Sequence, residues 1–332
     1  MTTWDELLDE FRALGGTADN IRLGHGEFGR GLFPVDPIKP VTIHVPDNLL
    51  VAVQDMILTA GVPHVGPNAK TGERERAWLN RYQDEFAWGG GAADEVRQVF
   101  ESVGALPAEL RHTLLTDYGC GPWFREPSDQ LIVERFFQTR TIRHRERPVV
   151  MPLIEMANHG DGAQYEIDHG VALRGNFSGE ILVEYSPLDS YDYFRNWGFA
   201  TRRPVAFSLA LTGRIDSASL KIDERFIGNV SPDQSWIPTI EKNSGNVTLP
   251  FLMLGHQRFP RRSKGIFYRL MRDAGYSGFV ESFDRIRLAN RLHFLDLLLA
   301  VEGIDAPIGR TLRTMANHQL RAMSFCYGVR EI

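Results

Sequence analysis

The sequence predicts an α+β fold in which strand-rich and helical blocks alternate. Three observations predict it. Short apolar runs broken by Gly, Pro and Asp lie between Ile21 and Leu50 and again between Arg140 and Ala200. A block with helical spacing, at about 51–137, separates them, and apolar residues from Ile286 to Met323 recur at helical spacing near the end of the chain. With 332 residues, 43% of them hydrophobic, the chain is long enough for two domains or for one with a large insertion.

The elements follow in order. Trp4, Leu7, Leu8, Phe11 and Leu14 define one face of a helix, Thr3 and Glu6 form a capping box at its start, and Gly15 and Gly16 end it. Strands are expected over Ile21–Leu23, Leu32–Val35 and Thr42–Val45. In the helical block Val96, Val99, Phe100 and Val103 share a face before Gly104, Pro107 opens a segment through Leu110 and Leu114, and Gly89 to Gly91 reads as a flexible joint. Strands return at Val149–Leu153, Gln164–Ile167 and Ile181–Tyr185, and again at Val205–Leu211 before a less regular stretch. The terminal helices place Ile286, Leu292, Leu295 and Leu299, then Ile308, Leu312, Met315 and Met323, at core spacing.

Composition narrows the function. A net charge of -5 without a basic tail argues against nucleic acid as the main partner. Arg258, Arg261, Arg262 and Lys264 form a small basic cluster that reads as a solvated loop or as a face for an acidic partner. Cys120 and Cys326 are too far apart in sequence for a CxxC motif, and His159, Asp161 and His169 lack regular ligand spacing, so no metal is expected. The acidic residues Asp5, Glu6, Asp9 and Glu10 stand where a signal peptide needs a cationic and then apolar run, and the apolar run Leu297 to Val301 is flanked by Asp296 and Glu302. A cytoplasmic protein with no membrane partner is expected.

Gly24, Gly26 and Gly29 in GHGEFG match the letters of a dinucleotide fingerprint. The chemistry of that motif needs a helix to start in the loop, and Pro34, Pro37 and Pro40 follow almost at once. A glycine-rich turn between strands is expected instead.

Three separated segments carry more information in combination: Gly29-Arg30-Gly31-Leu32-Phe33; Met151 through Asn158 and His159; and Gly179-Glu180-Ile181-Leu182-Val183-Glu184-Tyr185 followed by Trp197-Gly198-Phe199. Their order and spacing resemble a SET domain. They are similar in particular to the branch with a helical insertion and a C-terminal helical domain, typified by the plant Rubisco large-subunit methyltransferase and its actin-histidine methyltransferase relatives. The resemblance implies a β-clip scaffold of short sheets with a knotted cofactor site over residues 1–205, a helical insertion at about 51–137, and a mainly helical substrate-binding domain over 206–332.

The resemblance also implies an activity, methyl transfer from S-adenosylmethionine to a side-chain nitrogen of a protein, lysine or histidine. Phe28, Gly29 and Arg30 would line the cofactor, with Phe28 standing where the family often has an acid. Arg140, after Thr139, matches an arginine that reaches the cofactor carboxylate. Asn158 and His159 match the pair that contacts the methionine part and the adenine, and Tyr185 matches a tyrosine of the methyl-transfer channel. Trp197 stands where the family has a second tyrosine, so that hydroxyl is missing and its bulk narrows the channel; Phe207 would line a wall of the same passage. The departure at Trp197 leaves a second reading open, a degenerate SET protein that binds cofactor or a protein partner without transfer.

Overall fold

The computed structural model describes residues 2–223 and 237–325, and Cys326 lies outside them. The chain is an α+β fold of short sheets and helices that forms two compact units, Met1–Gln98 with Glu126–Ser186, and Val99–Arg125 with Pro187–Ile332.

In the first unit the helix Trp4–Ala13 starts at the expected capping box: the Glu6 N–H donates to Thr3 Oγ1 and the Thr3 N–H to the Glu6 carboxylate. Leu7, Leu8 and Phe11 are buried beneath it. The strands Ile21–Gly26 and Gly29–Pro34 pair antiparallel with Gly26 opposite Gly29, which leaves Glu27 and Phe28 as a two-residue turn. Gly29 has φ +90°, a conformation that favours glycine. The GHGEFG motif is therefore a hairpin, and no helix starts in it.

Val41–Val45 is central in a four-stranded antiparallel sheet, between Thr17–Asp19 and Gly170–Gly175, with Glu166–Asp168 at the far edge. Val51–Ala52, Arg147–Val150 and Thr141–His144 make a three-stranded sheet. The structure differs from the sequence reading at the front of the helical block, where Met56–Thr59 and Val62–Val65 form a hairpin. Ala60 and Gly61 both have positive φ there, the twist that joins antiparallel strands with two residues. Helices begin at Glu73–Glu85. Gly89 and Gly90 are packed rather than loose, since a Cβ on Gly89 would collide with the Asp84 carbonyl and one on Gly90 with the Arg30 guanidinium, whereas Gly91 stands in open space with φ +109°.

One pairing controls the site. Asn158–Ala163 runs parallel to Leu182–Val183, and the neighbouring Ile181 N–H donates to the Leu32 carbonyl at 2.8 Å. Residues 181–183 are thus bonded both to the glycine hairpin and to the Asn158 strand.

In the second unit the stretch after Pro204 is more regular than its sequence indicates. Val205–Phe207 pairs with Met253–His256, and Leu211–Ile215, Ala218–Ile222, Asn246–Leu249 and Glu241–Asn243 form a four-stranded sheet. The helices Arg262–Asp273, Phe279–Ala300 and Pro307–Ser324 follow. Helix Phe279–Ala300 carries two apolar stripes. Phe283, Ile286, Phe294 and Leu297 are buried, whereas Leu292 and Leu295, expected in the core with Leu299, are 50% and 42% exposed. Among the described residues no helix is long and apolar enough to cross a membrane.

Candidate functional site: a buried carboxylate and two arginines beside a glycine hairpin

The hairpin presents its glycines to a side chain of the protein itself. A Cβ on Gly26 or Gly31 would collide with the Glu180 carboxylate, and one on Gly31 would also press on the Asn158 amide. Asn158 Nδ2 donates to Glu180 Oε1 at 2.6 Å and to the Arg30 carbonyl at 3.1 Å. The two bonds fix the amide orientation, because both partners are acceptors. Three segments distant in sequence, 26–31, 158 and 180, meet at these contacts.

Four residues before His159 a second polar group is enclosed. Glu155 is buried between Ile154 and Met156 at a short helical turn, Ile154–Met156. Its Oε1 accepts the Tyr82 hydroxyl at 2.8 Å, and among the described residues its buried Oε2 has no hydrogen-bond partner. Burial pushes the Glu155 carboxyl up to about 7, against the opposing pull of the Tyr82 hydrogen bond and of Arg140 and Arg30. The same hydroxyl accepts the Leu153 N–H at 3.1 Å. Leu153 has φ +66° and ψ -53°, and Ile154 N–H donates back to the Pro152 carbonyl at 2.8 Å, which makes a strained γ-turn. Tyr82 therefore clamps the turn that delivers Asn158 and His159.

Arg140 closes the helix Asp129–Arg140, which Ser128 caps at its other end. Its Nη2 donates to Glu95 Oε2 at 2.6 Å and its Nη1 to Thr139 Oγ1 at 2.9 Å, while the guanidinium lies over the Phe136 ring, 5.1 Å from its centroid. Its charge acts on both Glu155 and Tyr185. Tyr185 donates its hydroxyl to the Ala157 carbonyl at 2.9 Å. Burial raises its pKa, with Glu95 and Glu180 adding to the rise and Arg140 opposing it, so the phenol stays neutral. The His159 ring is buried, centred 5.2 Å from the Tyr185 ring, with Nδ1 3.2 Å from the Val183 carbonyl.

Of the residues singled out in the sequence, Arg30, Arg140, Asn158, His159 and Tyr185 are thus linked by contacts or electrostatics inside the first unit, and Gly29 precedes Arg30 in the hairpin, with open space at its Cα. Phe28 belongs to the same unit at the tip of the hairpin, 55% exposed. Trp197 and Phe207 belong to the second unit. Trp197 ends the helix Ser190–Trp197, its ring centred 4.9 Å from that of Tyr193, and Gly198 caps that helix with φ +81°. Phe207 is buried in a cluster with Val205 and Met253, its ring edge-on to Phe251, and its N–H donates to Asp189 Oδ2 at 2.8 Å. Glu155, Tyr82 and the role of Glu180 were not read from the sequence. The one available signal was a carboxylate inside the apolar run Met151 to Ala157. Among the described residues no group of three His, Cys, Asp or Glu side chains is placed to hold a metal ion.

The sequence matches no protein-family model and no curated protein. Solved structures similar to the chain include one described as Rubisco LSMT bound to AdoMet, with 12% identity, 98% of this chain and 91% of that chain covered, and a TM-score of 0.46. The SET domain of LSMT bound to lysine and AdoHcy is similar with 13% identity, 99% and 92% coverage, and a TM-score of 0.42. The same domain bound to MeLysine and AdoHcy has 13% identity, 97% and 90% coverage, and a TM-score of 0.44.

Proposed function

We propose that the chain is a SET-type methyltransferase that uses S-adenosylmethionine and acts on a side-chain nitrogen of a protein, lysine or histidine. The observation that carries this reading is the meeting of hairpin 26–31, Asn158, Glu180, Glu155, Arg140 and Tyr185 within one unit. The ligands named for the similar structures, AdoMet, AdoHcy and lysine, belong to the classes this reading assigns to the chain.

The residues fit such a cofactor. Its amino-acid end is a zwitterion, which needs a cation and an anion held a short way apart. Arg140 is a fixed cation whose partner Glu95 is half-exposed and can yield to a carboxylate ligand. Glu155 Oε2, a buried acceptor without a partner among the described residues, is one that an ammonium would satisfy. When bound, the cofactor supplies an electrophilic methyl group.

The chain's own residues position and exclude water. Tyr185 stays un-ionised, so it orients an amine by hydrogen bonding and does not remove its proton. Its bond to the Ala157 carbonyl fixes the direction of the hydroxyl two residues beyond Glu155. Trp197 supports a second reading, a degenerate relative that binds cofactor without transfer, because an indole offers no acceptor. Incubating the full chain with methyl-labelled S-adenosylmethionine and a host lysate separates the two. Label in a protein band supports the enzyme, and cofactor binding without any labelled protein removes it.

A further inference from the structure

We propose that the exposed leucine face of helix Phe279–Ala300 joins a second copy of this chain as an antiparallel helix pair. Leu288, Leu292, Leu295 and Leu299 are 55%, 50%, 42% and 69% exposed. Their spacing of four, three and four residues is the narrow seam by which one helix packs against another. The helix already buries its other stripe, Phe283, Ile286, Phe294 and Leu297, against its own unit. The seam is therefore surplus to the fold of the chain, and four leucines in one row form a contiguous apolar patch of the kind that marks an interface.

The ends of the seam select the occupant. Three residues before Leu288 the row continues in Arg285, and three after Leu299 it continues in Glu302, both exposed. The Glu302 N–H donates to the Leu299 carbonyl at 3.2 Å, so the helical turn carries through to it. Arg285 donates to the Arg214 carbonyl at 3.4 Å and to Ser282 Oγ at 3.3 Å. Among the described residues neither Arg285 nor Glu302 has an ion-pair partner. Antiparallel pairing about a twofold axis between Leu292 and Leu295 sets Leu292 against the second copy's Leu295 and Leu288 against its Leu299. In the same register Arg285 meets the second copy's Glu302 at both ends. Parallel pairing would set arginine on arginine and glutamate on glutamate. The row is thus complementary to itself in one direction only, which is the property of a twofold interface.

Sedimentation velocity on the full chain across about 1 to 100 µM tests this, since so short a seam is expected to dissociate in that range. The wild type is expected to pass from monomer to dimer. Leu292→Glu and Leu299→Lys are expected to stay monomeric with unchanged circular dichroism and thermal midpoint, because both leucines are exposed in the single chain. Arg285→Glu and Glu302→Arg are each expected to weaken the dimer, and the two together to restore it. A wild type monomeric throughout, a dimer undiminished by Leu292→Glu, or a double variant no tighter than either single change would overturn the proposal.

Discussion

The Tyr82 hydroxyl donates to Glu155 Oε1 at 2.8 Å and accepts the Leu153 N–H at 3.1 Å, so one buried phenol holds both a carboxyl and a strained turn. Among the described residues the other oxygen, Oε2, is buried and accepts no hydrogen bond.

The pH dependence of stability has a definite sign. The Glu155 carboxyl is raised from 4.5 to about 7 in the fold. Below 4.5 it is protonated in both states; between 4.5 and 7 the unfolded chain ionises while the folded one keeps its proton, so stability falls as pH rises through that window. The loss is about 3 kcal/mol in order of magnitude. Glu155→Gln cannot ionise, so its stability relative to wild type is expected to improve by up to about that amount between pH 4 and pH 8. Urea unfolding of both proteins at the two pH values measures it, and an equal difference at both would contradict it.

Removing the clamp has an effect of similar size. Tyr82→Phe leaves the Leu153 N–H and Glu155 Oε1 buried and unsatisfied, at a cost of about 2 to 4 kcal/mol. Losing the hydrogen bond also raises the Glu155 pKa further, since that bond lowers it. Denaturant unfolding reads the first effect, and a carboxyl titration followed by infrared spectroscopy reads the second.

Gly31→Ala is expected to preserve the fold and damage the site. The added methyl meets the ends of two side chains, Glu180 and Asn158, which can move at the expense of their mutual bond. Circular dichroism is expected to be unchanged while the affinity for S-adenosylhomocysteine falls about tenfold, the loss of one good hydrogen bond.

Tyr185→Phe keeps the ring and removes the hydroxyl that bonds the Ala157 carbonyl. Methyl transfer is expected to drop by at least about a hundredfold, a typical cost of losing a positioned polar group, with little change in cofactor affinity. Equal turnover by the variant would show that this hydroxyl does not position the nucleophile.

Local signals were legible where one residue type determines the geometry. Thr3 and Glu6 announce their capping box, and the prolines after Gly31 exclude a helix, so the glycine hairpin could be read directly. The hairpin at Met56–Val65 was hidden because Met56, Ile57 and Leu58 form an unbroken apolar run without alternation. The sheet at 211–249 was missed for another reason: in Ala218–Ile222 the apolar residues alternate with Ser219 and Lys221, as a half-buried strand requires, but the tight turn before it falls on Asp216 with φ +48° rather than on a glycine, so nothing marked the hairpin. Leu292, Leu295 and Leu299 have core spacing, but spacing alone does not say which of two apolar stripes turns inward. Glu155 was missed because the hydrogen bond that holds its buried carboxyl comes from Tyr82, more than seventy residues away in sequence.

Titration calorimetry of the full chain with S-adenosylhomocysteine, at pH 6 and at pH 8, tests the central claim most directly. An ammonium bound at Glu155 requires the ionised carboxylate, so saturable one-to-one binding is expected, weaker at pH 6 by about tenfold, as expected one unit below the Glu155 midpoint. A flat titration at both pH values would contradict the account.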